Sequence, residues 1–110
     1  MSLSISSEMR DDANVIHVEG ELDVYTAPRL KAILDGFGKD CGRVVVDLSD
    51  VQFIDSTALS VLVGGHQHIQ SNGGKFRLVV NDPFLLKIFH ITGFDGLFAI
   101  FPKVDEALSG

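Results

Sequence analysis

One cysteine, one tyrosine, no tryptophan and only nine basic residues in a chain of 110 together remove several classes of function. A lone Cys41, in a loop between Asp40 and Gly42, cannot build a disulfide framework or a cysteine zinc site. It fits a reducing compartment, and a cytoplasmic location is expected. Nine Lys and Arg against fifteen Asp and Glu give a net charge of −6. That balance disfavours nucleic acid and anionic membrane surfaces, both of which call for clustered cations. The chain also lacks the basic-aromatic interleaving that stacks bases. No stretch approaches the roughly 18 uninterrupted apolar residues of a membrane span. Met1 to Asp12 lacks the basic start and apolar block of a secretory signal.

Catalytic motifs are scarce as well. The most prominent serine, Ser56, sits in Ile54-Asp55-Ser56-Thr57-Ala58, not in the Gly-x-Ser-x-Gly turn of a hydrolase. An aspartate beside it disfavours a developing alkoxide. Gly64-Gly65 and Gly73-Gly74 match neither the P-loop nor the dinucleotide fingerprint. His66 and His68 are two apart on a helical stretch and point in different directions, unlike a chelating i, i+4 pair. His90 has no acidic partner placed to complete a ligand set. No metal, no cofactor and no enzymatic activity are expected.

What is present reads as one α/β domain spanning residues 1–110, with no internal repeat or linker. The apolar fraction of 45% is that of a folded globular protein. Residues 3 to 8 and Asn14 to Leu22 alternate as two half-buried strands joined by turn chemistry at Asp11-Asp12-Ala13-Asn14. His17 falls on the solvent side of the second strand. Thr26 is a candidate helix cap, with Pro28 tolerated in the first turn. Leu30, Ile33, Leu34 and Phe37 follow at helical spacing until Gly36 and Gly38. Arg43 to Leu48 is a strand too continuously apolar for a surface position, so strand, helix and strand form a parallel crossover. A helix from Ser56 to about Ser71 comes next, and its Gly64-Gly65 pair implies close packing of that helix on the sheet. Phe76, Leu78 and Val80 mark another strand. Asp82-Pro83 opens a helix with a Leu85, Ile88 and Phe89 stripe that Gly93 stops. Leu97 to Phe101 reads as a strand, and Val104, Ala107 and Leu108 as a short closing helix.

Two loops in this scheme each join a strand to a helix, one around Asp23 and one at Asp55-Ser56. They are expected at the same edge of the sheet, where open α/β sheets place their sites. Asp55, Ser56 and Thr57 are all good N-cap residues. A serine at a helix N-terminus lies among unpaired N–H groups that accommodate an anion.

Three stretches carry a family resemblance. Asp55-Ser56-Thr57-Ala58-Leu59 resembles the Asp-Ser-Ser/Thr-Gly-Leu segment of STAS domains. Gly20-Glu21-Leu22-Asp23 resembles their Gly-Glu-Leu/Ile-Asp segment, and Leu86 to Gly93 a helix closing on Thr/Ser-Gly. Order and spacing match across essentially the whole chain. The resemblance implies a mixed sheet of about five strands packed with about four helices. It is nearest to single-domain anti-sigma factor antagonists of the actinobacterial kind, with their Asp-Val-Tyr-Thr-Ala-Pro segment. Such proteins bind an anti-sigma factor that carries a serine-kinase ATPase domain, freeing the sigma factor. The kinase ends the episode by phosphorylating the STAS serine, and a phosphoserine phosphatase resets it. By position Ser56 is the implied phosphoacceptor, Asp23 the acidic residue beside it, and Asp55, Thr57 and Ala58 its supporting neighbours.

Ala58 departs from the family's glycine. Alanine stiffens the first helical turn by about 1 kcal/mol, and its methyl could crowd a kinase approaching the backbone. Phosphorylation adds roughly −1.5 to −2 charges, which Asp55 and Asp23 would repel. A penalty of about 3 to 4 kcal/mol in a partner interface weakens binding several-hundred-fold with the fold unchanged. The rival expectation is an unphosphorylated STAS adaptor in a transport or signalling complex.

Overall fold

A computed structural model describes residues 2–109. Five strands form one mixed sheet in the order β1 (Leu3–Arg10), β2 (Ala13–Leu22), β3 (Arg43–Ile54), β4 (Lys75–Val79) and β5 (Ala99–Phe101). The first two are antiparallel and every later pair is parallel. The helices are α1 (Ala27–Asp35), α2 (Ser56–Ser71), α3 (Pro83–Ile91) and α4 (Val104–Ser109), with a single 3₁₀ turn at Phe94–Gly96 before β5.

Alternation along the strands divides the interior between the two faces of the sheet. Ile16, Val18, Leu22, Val44, Val46, Leu48 and Leu78 share one core with Leu30 and Leu34 of α1, Leu62 and Ile69 of α2, and Leu85 and Phe89 of α3. Each fully buried side chain of this size contributes about 1.5–3 kcal/mol. The intervening residues Ala13, Val15, Val45 and Val79 face the other way, under Ala107 and Leu108 of α4. This explains the unbroken Val44-Val45-Val46 run: β3 is central and covered on both faces. The hairpin turn is tight because Arg10 pairs directly with Ala13. Asp11 and Asp12 both take positive φ, 51° and 63°, the conformation of a two-residue hairpin loop that Asp tolerates. Arg43 ties that turn to α4 by donating to the carbonyls of Asp11 and Leu108.

Four expectations need correction. The central strand runs on to Ile54, six residues past Leu48, because β2 follows it through two register shifts, between His17 and Glu19 and between Gly20 and Glu21. Those shifts break the period-two pattern that marks a strand in sequence. The last strand is short: Leu97 lies outside it, and only Ala99–Phe101 pair with β4. Of the Gly64-Gly65 pair only Gly65 serves a close contact, and that contact is with helix α1, not with the sheet. A Cβ on Gly65 would stand 2.5 Å from Cδ1 of Leu34 in α1, while one on Gly64 would meet open space. His17, finally, is held between two carboxylates. One ring nitrogen lies 2.9 Å from Asp47 of β3 and the other 3.2 Å from Glu8 of β1. Burial opposes its charge, but hydrogen bonds and attraction from Glu8 and Asp47 outweigh that and raise its pKa above 6.5. His66 is the opposite case, packed edge-on against Phe76 and Phe98 with Nδ1 unpartnered, and burial lowers its pKa.

Candidate functional site

Leu22 and Ile54 are paired neighbours at the ends of β2 and β3, so the loops that leave them emerge side by side. The Asp55 N–H donates to the Leu22 carbonyl (3.2 Å), extending the ladder one residue into the loops. Val24 N–H donates to Asp55 Oδ2 (3.0 Å). The expected meeting of the Asp23 loop with Asp55-Ser56 is therefore a direct contact.

Asp23 builds its own loop. It is 7% exposed, and its Oδ1 accepts the N–H groups of Tyr25 (2.9 Å) and Thr26 (3.0 Å). The Asp23 N–H donates to the Thr26 hydroxyl, which itself donates to the Glu21 carbonyl (2.7 Å). Thr26 thus occupies the N-cap position of α1 without capping it; its hydroxyl turns back to the loop. These bonds hold Asp23 to Thr26 in a compact turn whose outer side is Val24 and Tyr25, 52% and 78% exposed.

At the second loop the cap is Asp55. Its extended backbone, φ −117° and ψ −177°, precedes the helix, and Oδ1 accepts the Ala58 N–H (3.0 Å). Ser56 is the first helical residue, not the cap, and its side chain is exposed. The N–H groups of Ser56 and Thr57 have no hydrogen-bond partner among the described residues. Two free donors and the positive end of a 16-residue helix make this spot favourable to negative charge. Thr57 is half-buried and forms part of the wall of a groove of about 450 Å³ between α1 and α2, whose other lining includes the open Gly64.

Ala58 is placed differently from the expectation. It is 1% exposed and belongs to the main core. Its methyl points inward and cannot crowd a partner; what it offers the site is its N–H, bonded to Asp55. Sequence reasoning missed the exposed apolar residues of these segments. Val24 and Tyr25 are exposed on the turn whose Val24 N–H bonds to Asp55, and Phe53, 44% exposed, lies near the end of β3. A usable signal was there: a valine and a tyrosine in a four-residue turn between Asp23 and Thr26, with no strand or helix period to bury them. Phe53 was hidden by the register shifts of β3.

Among the described residues no group of His, Cys, Asp or Glu is arranged to hold a metal ion, and no helix is long and apolar enough to cross a membrane. The two loops bring together an exposed serine, helix N–H donors, the Asp55 carboxylate and the exposed Val24-Tyr25 turn. Those are features of a recognition surface whose character one added charge would change.

Residues 4–107 match the family described as the STAS domain. An anti-sigma-B factor antagonist of Listeria monocytogenes is 34% identical, over 100% of this chain and 97% of that protein. The crystal structure of an anti-sigma factor antagonist from Mycobacterium paratuberculosis is 32% identical with a TM-score of 0.88, covering 98% of this chain and 92% of that one. The Bacillus protein SpoIIAA, known in unphosphorylated and phosphorylated forms, has the same fold. Its two structures give TM-scores of 0.75 and 0.69 at 19% and 20% identity, covering 96% of this chain and 93% and 97% of theirs.

Proposed function

The chain belongs to the STAS domain family, and on that footing we propose that it is a cytoplasmic anti-sigma factor antagonist switched by phosphorylation of Ser56. In the unmodified state the surface around Ser56 docks on an anti-sigma factor with a serine-kinase ATPase domain, and the sigma factor is released. Transfer of the γ-phosphoryl group of ATP to Ser56 Oγ, with loss of ADP and the hydroxyl proton, ends the interaction. A phosphoserine phosphatase restores it by hydrolysis. The chain itself performs no catalysis in this scheme.

The observation that carries the reading is an exposed Ser56 directly after Asp55, whose side chain is hydrogen-bonded to the turn that exposes Val24 and Tyr25. Exposed aromatic side chains such as Tyr25 are typical anchors of a protein interface. A phosphate there adds roughly −1.5 to −2 charges, next to Asp55 and within a surface that must lose water on docking. The helix N–H groups stabilise the phosphate while it is exposed to water. In the complex it is left against groups shaped for a hydroxyl, at about 3 to 4 kcal/mol.

Calorimetric titration with the cognate anti-sigma factor tests this. Wild type and Ser56→Ala are expected to bind alike, and Ser56→Asp several-hundred-fold more weakly by the same penalty. Equal affinity for wild type and Ser56→Asp refutes the switch. Phosphopeptide mapping after incubation with the kinase and ATP is expected to place the label on Ser56. Label on Thr57 overturns the assignment, and no label at all leaves the unmodified adaptor as the correct reading.

A further inference from the structure

Asp55 spends its two carboxylate oxygens on two different elements. Oδ1 accepts the Ala58 N–H and caps α2, while Oδ2 accepts the Val24 N–H in the neighbouring loop. The Asp23 turn is closed by Asp23 and Thr26 from within. The side-chain bond from Val24 to Asp55 is what fastens the turn's exposed end to the helix that carries Ser56. Val24, 52% exposed, takes that bond directly, and Tyr25, 78% exposed, follows it in the turn with its own N–H on Asp23. Resting on the reading of Ser56 as a phosphoacceptor, we propose that Asp55 is a positioning residue that transmits the phosphorylation state of Ser56 to the Val24-Tyr25 anchor, releasing it when phosphate is present.

The physical chain is short. A phosphate on Ser56 is drawn to the free N–H groups of Ser56 and Thr57 and competes with Asp55 for the Ala58 N–H. It also repels the carboxylate one residue away. Asp55 is half-exposed, so its carboxylate can turn into water at little cost. The Val24 N–H, already at the surface, then exchanges its carboxylate for solvent. The sheet is unaffected, because Asp55 joins it through its backbone N–H alone. Phosphorylation then acts twice on a partner: it places charge at the centre of the interface, and it loosens the aromatic anchor at the rim. An anchor that must be re-ordered on docking binds more weakly than one held in place.

Hydrogen exchange and relaxation of the ¹⁵N-labelled full chain test this without any partner, with phosphoserine introduced at position 56 during translation. The expected result is exchange of the Val24 amide about tenfold faster in the phosphorylated protein. Order parameters at Val24 and Tyr25 should fall, while Val45 and Leu78 stay unchanged. Asp55→Asn keeps an acceptor but no charge, and its Val24 amide is expected to respond far less to the phosphate. A merely structural role for Asp55 would not make that response depend on charge. Unchanged Val24 exchange on phosphorylation, or an undiminished response in Asp55→Asn, overturns the coupling. A phosphorylated protein that binds the anti-sigma factor as tightly as the unmodified one overturns the proposed function instead, whatever the Val24 amide does.

Discussion

Replacing Ala58 by the glycine usual in the family separates a packing role from a recognition role. The Ala58 side chain is 1% exposed and lies in the core shared by the sheet and three helices. Deleting a buried methyl costs about 0.8 kcal/mol in lost burial. Glycine in a helical turn costs a further 0.5 to 1 kcal/mol, roughly, in backbone entropy. The sum is about 1.5 kcal/mol of destabilisation, equivalent to about 6 to 10 °C in Tm for a domain of this size. Because the methyl does not reach the surface, phosphorylation of Ser56 and affinity for the anti-sigma factor are expected to match wild type in the same preparation. Urea denaturation followed by circular dichroism gives the first quantity, and initial rates of phosphate transfer from the cognate kinase give the second. A variant as stable as wild type but phosphorylated many times faster would refute the reasoning. It would show that the methyl faces the kinase and not the core.

Three further substitutions probe the scaffold. His17→Gln is expected to change the pH profile of stability. The folded-state pKa of His17 is raised by Glu8 and Asp47, so its contribution is complete below the ordinary histidine pKa near 6.5. That contribution is lost as pH rises through the higher folded value. The wild-type advantage over the variant should therefore shrink from pH 6 to pH 8. It should stay below about 1 kcal/mol throughout, because the pair is partly screened by solvent; an advantage that grows with pH would contradict the clamp. Gly64→Ala and Gly65→Ala should diverge in thermal unfolding. The first meets open space and gains up to about 1 kcal/mol of helix propensity. The second drives a methyl against the fully buried Leu34 and loses about 1 to 3 kcal/mol to overpacking, before the propensity gain is set against it. Equal effects would show that α1 and α2 are not in contact there.

Much of the architecture was legible because local signals agreed with burial. Pro83 behind Asp82 opens α3, and the Asp82 side chain accepts the Phe84 N–H as a cap. Helix α2 spans Ser56–Ser71 as its spacing and the Asn72-Gly73 stop indicate. The crossover from β2 through α1 to β3 follows from an alternating strand, an amphipathic helix and a fully apolar strand. The end of β3 was not legible. Between Ser49 and Ile54 polar and apolar residues follow no single period, since β2 shifts register twice against them.

The sequence alone supplied the candidate residues. Asp23, Asp55, Ser56 and Thr57 were identifiable from residue type, spacing and the family motif, since turn and cap chemistry depends on neighbours a few residues away. Only the tertiary structure decided what each does there. Asp55, and not Ser56, caps the helix, because its backbone is the one left extended at the end of β3. Ala58 lies in the core and not at the surface, because the helical phase set by that cap turns its methyl inward. The Val24-Tyr25 turn meets the Asp55 cap because parallel pairing sets Leu22 beside Ile54. That pairing spans about thirty residues of chain, a distance that local residue preferences do not encode.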